Sequence, residues 1–159
     1  MFDGNDPTKP IYLAINGTIF DVSAGARMYG PGGGYHGFAG RDASRSFVTG
    51  CFAEDRTPDM RGVEEMFLPV EDEDEDLSSR YWTAEELEAL REEELAVARQ
   101  KAHDALAHWV RFFSNSDKYI EVGKVKREDG WLERLPRREL CQAAMKARPK
   151  RKVPEERRS

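Results

Sequence analysis

The sequence predicts an α+β domain, and three observations support this fold class. They are a β-hairpin signal near the N terminus, a capped helix in the second half of the chain, and a short apolar run after that helix. The 159 residues are about what one domain needs. Because 39% of the residues are hydrophobic and 35% are charged, we expect a small core with polar appendages.

The hairpin is predicted at the segment PIYLAINGTIFDVS, residues 10–23. Asn16 and Gly17 separate two runs of apolar or alternating residues, and Asn-Gly is a strong signal for a two-residue hairpin turn. We therefore expect paired strands over Ile11–Ile15 and Thr18–Val22.

A glycine-rich stretch, MYGPGGGYHGFAGRDASR, follows at residues 28–45. Six of its eighteen residues are glycine, and they surround two tyrosines, Tyr29 and Tyr35. Glycine lets a backbone adopt positive φ and approach another surface or a ligand closely. This composition is unusual for an ordinary core segment.

A short helix is predicted directly after this stretch. Asp42 can cap a helix that begins at Ala43, and Gly50 can end it. Phe47 and Val48 are expected to face inward.

The clearest helix begins after Thr83, because Thr83 and Glu86 have the spacing of a capping box. Apolar residues recur at roughly helical spacing as far as Phe113, so one helix or two in tandem could cover residues 84–113, about 45 Å if unbroken. The charged middle is expected either to protrude as a solvated helix or to break near the glutamates. The apolar run KYIEVGKV, residues 118–125, then predicts a strand.

Residues 52–79 show no periodic pattern and are predicted to be a connecting loop, with Met66, Phe67 and Leu68 as an apolar patch that could close over the domain. Within this loop, Glu71–Asp76 is a run of six acids, which predicts an exposed acidic loop because like charges repel. The C-terminal residues 134–159 carry ten basic and three acidic side chains, a net charge of +7 against −12 for the rest of the chain. We expect a solvated tail there; the alternative is a tail that binds nucleic acid, anionic lipid or an acidic protein.

The two cysteines, Cys51 and Cys141, are far apart and lack CxxC spacing, so the sequence favours neither a disulfide framework nor a zinc site. The cysteines therefore do not indicate whether the protein is in an oxidising or a reducing compartment. No stretch has the composition of a membrane span or of a signal peptide.

Three segments carry a resemblance to a known family: residues 12–23 (YLAINGTIFDVS), 29–45 (YGPGGGYHGFAGRDASR) and 118–125 (KYIEVGKV). Together they resemble the haem/steroid-binding branch of the cytochrome b5-like fold, the membrane-associated progesterone receptor family. The phrase FAGRDASRSFVTGC is especially similar to the neuferricin subgroup.

The resemblance implies a domain over residues 2–127, with a short mixed sheet and packed helices. Relative to that family, a helical insertion is expected at about 91–105. Residues 128–159 are then a basic, largely extended or disordered tail.

In that family a tyrosine phenolate is the iron ligand, and the matching residue here is Tyr35. Tyr29 matches a tyrosine that points at the same pocket, with its hydroxyl hydrogen-bonded to the ligating oxygen. Lys118 and Tyr119 match a pair that approaches the haem from the far end of the domain, where the lysine can pair with a propionate. The resemblance thus implies ferric haem b held by Tyr35, with Tyr29, Lys118 and Tyr119 around it.

The three histidines do not fit the two-histidine ligation of the electron-transfer cytochromes of this fold. There is no HPGG-like ligand loop, and His103 and His108 are about 140° apart around a helix. Surface or packing roles are expected for both. His36, next to Tyr35, is kept as an alternative contact at the pocket edge.

The function that the resemblance implies is a haem-binding accessory protein, with a sterol as a further ligand, that associates with cytochrome P450 enzymes and has no reaction of its own. Endoplasmic-reticulum or peripheral membrane association is implied through an anchor or a partner, and a cytoplasmic location is the alternative. A competing hypothesis is a non-haem interaction scaffold that uses the charged helix, acidic loop and basic tail. Nucleic-acid binding by the tail ranks last.

Overall fold

The computed structural model describes residues 1–71 and 80–158. The strands and α-helices of this part are β1 (Tyr12–Ile15), β2 (Thr18–Asp21), α1 (Ala26–Tyr29), α2 (Ser44–Thr49), α3 (Ala84–Ser114), β3 (Ile120–Lys124) and α4 (Gln142–Lys146). Short 3-10 helices cover Ser23–Gly25, His36–Phe38, Val63–Phe67 and Glu155–Arg157. The predicted α+β class is confirmed.

The three strands form one antiparallel sheet in the order β1-β2-β3. Ile15 pairs with Thr18 across the predicted two-residue turn, in which Asn16 and Gly17 have φ values of 48° and 78°. Asn-Gly is favoured in such a turn because both of its residues readily adopt positive φ. The sheet is therefore antiparallel and not mixed as predicted; the described residues form parallel pairs only as isolated bridges, Ala14 with Asp42 and Val70 with Lys150.

Asp42 joins the glycine-rich segment to the hairpin. Its Oδ2 accepts hydrogen bonds from the Gly17 backbone N–H at 2.9 Å and from the Arg127 guanidinium at 2.6 Å. Its Oδ1 accepts from the Ser44 backbone N–H at 3.0 Å. The N-cap residue of α2 is Ala43, without a side-chain cap, and not Asp42 as predicted; the helix runs from Ser44, one residue later than predicted, to Thr49, and Gly50 follows it with a left-handed φ of 76°. Asp42 is a structural residue.

The core lies between one face of the sheet, the glycine-rich segment and the C-terminal end of α3. The rings of Phe20 on β2 and Phe113 on α3 are 5.6 Å apart between centroids, and both side chains are almost completely buried. The remaining buried members are Ile11, Leu13, Ile15, Val22, Tyr29, Phe38, Ala39 and Ala43.

Helix α3 is continuous over 31 residues, so of the two alternatives, a solvated helix or a break near the glutamates, the continuous helix is the one observed. The capping box is present: the Glu86 backbone N–H donates to the Thr83 hydroxyl, and the Glu86 carboxylate accepts from the Thr83 N–H. Ala98 and Phe113 are the helix's buried residues. The charged middle is thus a largely solvated surface.

The predicted connecting loop contains a buried ionic network. Arg45 is fully buried, and its Nη1 donates to the backbone carbonyls of Asp59 and Arg61 at 3.1 and 2.7 Å. Its Nε lies 3.4 Å from a carboxylate oxygen of Asp55, whose other oxygen accepts from the Thr49 hydroxyl at 2.7 Å. Burial lowers the pKa of Arg45, and the nearby carboxylates oppose that shift. The sequence shows no periodic pattern here because buried charges, and not regularly spaced apolar residues, hold this segment in its folded position.

We expect Asp55→Asn to lower the free energy of unfolding by about 3 kcal/mol, because it leaves the buried Arg45 charge without its carboxylate. The measurement is urea unfolding followed by tryptophan fluorescence. Asp117→Asn, which changes an exposed carboxylate, is the matched control and should unfold like the wild type. Arg45→Met combined with Asp55→Asn should recover part of the loss, since it removes the unpaired charge. An Asp55→Asn midpoint equal to that of the wild type would show that the ion pair is energetically neutral.

The C-terminal segment differs from the expected solvated tail. It has little regular secondary structure, as predicted, but it packs on the domain. Cys141 forms a disulfide with Cys51, a pairing that the spacing of the two cysteines did not support. Leu140 and Ala144 are buried, and Arg138 donates to Asp55 at 3.2 Å. Fixed spacing motifs could not reveal this pairing, because the two cysteines are 90 residues apart and meet only in the folded chain.

Arginines of the same segment pair with acids on the body of the domain. Arg151 contacts Glu71 and Glu94 at 3.0 and 2.8 Å, and Arg157 contacts Glu86. Hydrogen bonds from Arg151 and from Arg91 lower the pKa of Glu71 to about 2. The opposite charges of tail and domain are thus partly neutralised within the molecule. Apart from Glu71, the predicted acidic loop lies outside the described residues.

Candidate ligand-binding cleft

An aromatic cleft of about 490 Å³ opens beside the glycine-rich segment, a size typical of small-molecule sites. None of its lining residues is charged. They are Met28, Tyr29, Tyr35, Phe38, Phe47, Val48, Thr49, Gly50, Phe52, Trp109 and Phe112. Phe47 and Val48, which the sequence predicts to face inward, therefore line this cleft.

The glycine-rich segment places Tyr35 at the cleft. After α1 the chain turns back on itself, and the Tyr35 backbone N–H donates to the carbonyl of Met28 at 2.9 Å. The turn passes so close to α1 that a Cβ on Gly33 would lie 2.2 Å from the Met28 carbonyl oxygen. Only glycine fits there. This glycine is needed for the loop's own packing, and the loop in turn holds the tyrosine.

Tyr35 and Tyr29 have different environments although their ring centroids are only 6.1 Å apart. Tyr35 is 41% exposed, whereas Tyr29 is 4% exposed. Burial, assisted by the neighbouring phenols of Tyr119 and Tyr35, raises the pKa of Tyr29 above its ordinary value. Tyr29 therefore stays protonated at neutral pH.

Three lining residues carry a hydroxyl, and Tyr35 has the accessible one. The Thr49 hydroxyl donates to Asp55, and Tyr29 is buried. The hydrogen bond expected between the Tyr29 and Tyr35 hydroxyls is absent from the hydrogen bonds of residues 1–71 and 80–158. Of these three hydroxyls, the cleft thus offers a ligand the accessible one of Tyr35, which is surrounded by aromatic rings.

Tyr119 and Lys118 lie farther from the cleft. The ring of Tyr119 packs edge-on against Tyr29, with centroids 6.0 Å apart, and against Phe113 at 5.7 Å. Tyr119 thus packs against Tyr29 but is not itself among the residues that line the cleft. Lys118 is exposed and does not line the cleft either. The structure thus brings three of the four predicted residues into one aromatic group, and Lys118 stands apart from it.

The histidines lie outside the cleft lining. His36 Nδ1 lies 3.0 Å from the carbonyl oxygen of Tyr29, an acceptor, so Nδ1 is the donor there. This hydrogen bond ties the residue next to Tyr35 to the end of α1 and so helps to hold the loop that carries Tyr35. His103 and His108 are exposed on α3.

Two parts of the cleft could not be located from the sequence. Trp109 is one of the apolar residues at helical spacing in α3; its ring lies 5.5 Å from that of Phe47 between centroids, and it lines the cleft together with Phe112. Phe52 was assigned to a patternless loop, yet its ring lies 6.0 Å from that of Tyr35. The one available signal was the density of aromatic residues around positions 47–52 and 109–113.

The family described as "Cytochrome b5-like Heme/Steroid binding domain" matches residues 2–125, well over half of the chain. The chain belongs to this family. Its solved relatives include the solution structure of a proposed steroid-binding protein from Arabidopsis, which superposes with a TM-score of 0.51 at 31% identity, over 79% of this chain and 88% of that one. The cytochrome b5-like fold is therefore shared.

Curated relatives match over different lengths. Neuferricin of Danio rerio is 56% identical over 54 residues, which is 34% of this chain and 20% of the relative. Membrane steroid-binding protein 2 of Arabidopsis thaliana is 34% identical over 131 residues, or 82% of this chain and 40% of the relative. The chain thus spans less than half of the length of these two relatives. Membership of the membrane-associated progesterone receptor branch, inferred from the sequence motifs, is confirmed.

In residues 1–71 and 80–158, no helix combines the length and the apolar character that crossing a bilayer requires.

Proposed function

We propose that this chain is a haem-binding domain in which the Tyr35 phenolate is the iron ligand. One observation carries the proposal: the accessible hydroxyl of Tyr35 stands in an uncharged aromatic cleft, while the neighbouring Tyr29 is buried and protonated. When bound, ferric iron supplies a Lewis acid that holds a phenol as its anion, as in catalase. The aromatic walls suit a flat, apolar macrocycle.

The chain's own residues have separate roles in this proposal. Tyr35 supplies the ligating oxygen, and Phe47, Phe52 and Trp109 provide the apolar walls that exclude water. Tyr29 packs between Tyr35 and Tyr119, and its burial keeps its own phenol from competing with Tyr35 for the iron. A single anionic oxygen ligand favours ferric iron with a low potential, so the proposed role is accessory rather than electron transfer.

The identity of the group as haem b and an accessory role beside P450 enzymes belong to the same proposal and rest on the family resemblance. Endoplasmic-reticulum membrane association has the same basis, together with the word "membrane" in the name of the Arabidopsis relative. No reaction of its own is proposed for the chain.

A steroid in the same cleft is the second candidate. The uncharged lining suits a neutral steroid as well as it suits a porphyrin face, and the family description names both ligands. The interaction-scaffold hypothesis receives less support, because Arg151 and Arg157 of the basic tail are engaged with acids of the domain itself.

A titration of the full chain with hemin tests the proposal. We expect one equivalent to bind, with a ferric Soret band and a charge-transfer band that persist after desalting. Progesterone added to the loaded protein should displace hemin if both ligands use the cleft. Saturable progesterone binding with no hemin binding would replace the haem proposal by the steroid candidate, and binding of neither would leave the scaffold hypothesis.

A further inference from the structure

The rim of the cleft carries a guanidinium that neither the sequence motifs nor the family description assigns to the site. We propose that Arg56 is the cation that pairs with a carboxylate of the bound ligand. This inference rests on the proposed function, because it concerns the same cleft. It selects a ligand with an anionic edge, such as the propionate edge of haem, over a neutral steroid.

Arg56 is exposed and is not itself a lining residue of the cleft, but contacts on two sides hold its guanidinium next to segments that line it. Its Nε donates to the backbone carbonyl of Phe52 at 3.1 Å. A Cβ on Gly37 would lie 3.2 Å from both Nε and Nη2, so the guanidinium rests against the glycine backbone. Phe52 lines the cleft, and Gly37 lies between Tyr35 and Phe38, which also line it. The guanidinium is thus held next to the rim formed by the Tyr35 and Phe52 rings.

This charge has spare hydrogen-bonding capacity. An arginine has five N–H donors, and one of them is used by the Phe52 carbonyl. Among residues 1–71 and 80–158, no carboxylate forms a salt bridge with Arg56, although seven other arginines outside the core are paired with acids, namely Arg61, Arg91, Arg127, Arg134, Arg138, Arg151 and Arg157. The two Nη groups remain available for a planar carboxylate, which guanidinium binds in a two-pronged geometry.

The alternative cation is Lys118, which the family resemblance assigns to a propionate. Lys118 and Arg56 are both exposed, and neither lines the cleft, so the two differ in their contacts with the residues around it. Arg56, in contrast, touches two backbone segments that flank the cleft. The two assignments make different predictions for single substitutions.

The test compares two ligands that differ only in their carboxylates: hemin and its iron protoporphyrin dimethyl ester. Full-length wild type, Arg56→Gln, Lys118→Gln and Arg99→Gln are titrated with each ligand and followed by Soret absorbance. Arg99 is an exposed arginine of α3 with no ion pair among the described residues, so its variant controls for the loss of one positive charge.

We expect Arg56→Gln to bind hemin about tenfold more weakly, while its affinity for the diester is unchanged. Arg99→Gln should bind both ligands like the wild type. Equal hemin affinities of wild type and Arg56→Gln, or an equal loss for hemin and diester, would overturn the assignment. If Lys118→Gln alone weakened hemin binding, Lys118 and not Arg56 would be the cation that pairs with the ligand carboxylate.

The haem proposal and this inference fail in different ways. If Arg56→Gln weakens hemin binding and Tyr35→Phe does not, the ligand role of Tyr35 is wrong and Arg56 stands. If Tyr35→Phe removes hemin binding and Arg56→Gln has no effect, the inference is wrong and the haem proposal stands. Absence of hemin binding by the wild type overturns both.

Discussion

Replacing Tyr35 with phenylalanine is expected to weaken hemin binding by roughly a hundredfold, about 2.7 kcal/mol, and to abolish the phenolate-to-iron charge-transfer band. The substitution deletes one oxygen atom and keeps the ring that packs near Phe38 and Phe52. The fold should therefore be unaffected, and the loss reports on ligation. The measurement is a hemin titration with visible absorbance, accompanied by thermal unfolding of the apoprotein.

Two matched variants make the Tyr35 result interpretable. Tyr12→Phe removes a hydroxyl from a tyrosine that stacks on Phe2, away from the cleft, and should bind hemin like the wild type. Tyr29→Phe should retain binding within a fewfold, because its buried phenol is protonated. A hemin spectrum that survives in Tyr35→Phe but is lost in Tyr29→Phe would exchange the proposed roles of the two residues.

Removing the disulfide should have the largest effect on stability. Simultaneous Cys51→Ala and Cys141→Ala substitutions are expected to lower the free energy of unfolding by about 4 to 5 kcal/mol on the chain-entropy estimate for a loop of roughly 90 residues. The cross-link restricts the unfolded chain, and in the folded chain it fixes the C-terminal segment beside Gly50 and Phe52 of the cleft. Urea unfolding measures the change.

The reducing agent dithiothreitol provides an internal control for the disulfide prediction. It should lower the unfolding midpoint of the wild type and leave that of the double variant unchanged. If the reductant has no effect on the wild type, and the double variant unfolds at the same urea concentration, the pairing contributes nothing to stability. The tail would then be held by its non-covalent contacts, which are the buried Leu140 and Ala144 and the hydrogen bonds and ion pairs of its arginines.

Elements specified by neighbouring residues were predicted to within a residue or two. The Asn16-Gly17 turn fixes its hairpin through backbone preferences of two residues, and the Thr83–Glu86 capping box fixes the start of α3 through one reciprocal pair of hydrogen bonds. The strand at Ile120–Lys124 was likewise visible as a short apolar run. These signals are local, so a single sequence contains them.

The placement of the predicted site residues depended on distant contacts and was predicted only in part. Motif similarity brought Tyr29, Tyr35 and Tyr119 together, and the structure places their rings in one group. The same similarity could not show that Lys118 is not among the residues that line the cleft, or that Arg56 contacts Phe52 and Gly37 next to it. Arg56 acquires its position from Gly37, nineteen residues earlier, and no local pattern records that contact.

The sequence by itself determined the family, the hairpin, the long capped helix and the tyrosine that we propose as the iron ligand, because motifs and short-range backbone preferences encode them. Only the tertiary structure decided the Cys51–Cys141 pairing, the buried Arg45–Asp55 ion pair and the packing of the basic tail. Each of these depends on desolvation or chain closure between segments far apart in sequence. Such energies arise only when the chain has folded, which is why composition and spacing alone predicted a loop and a solvated tail and gave no support for a disulfide.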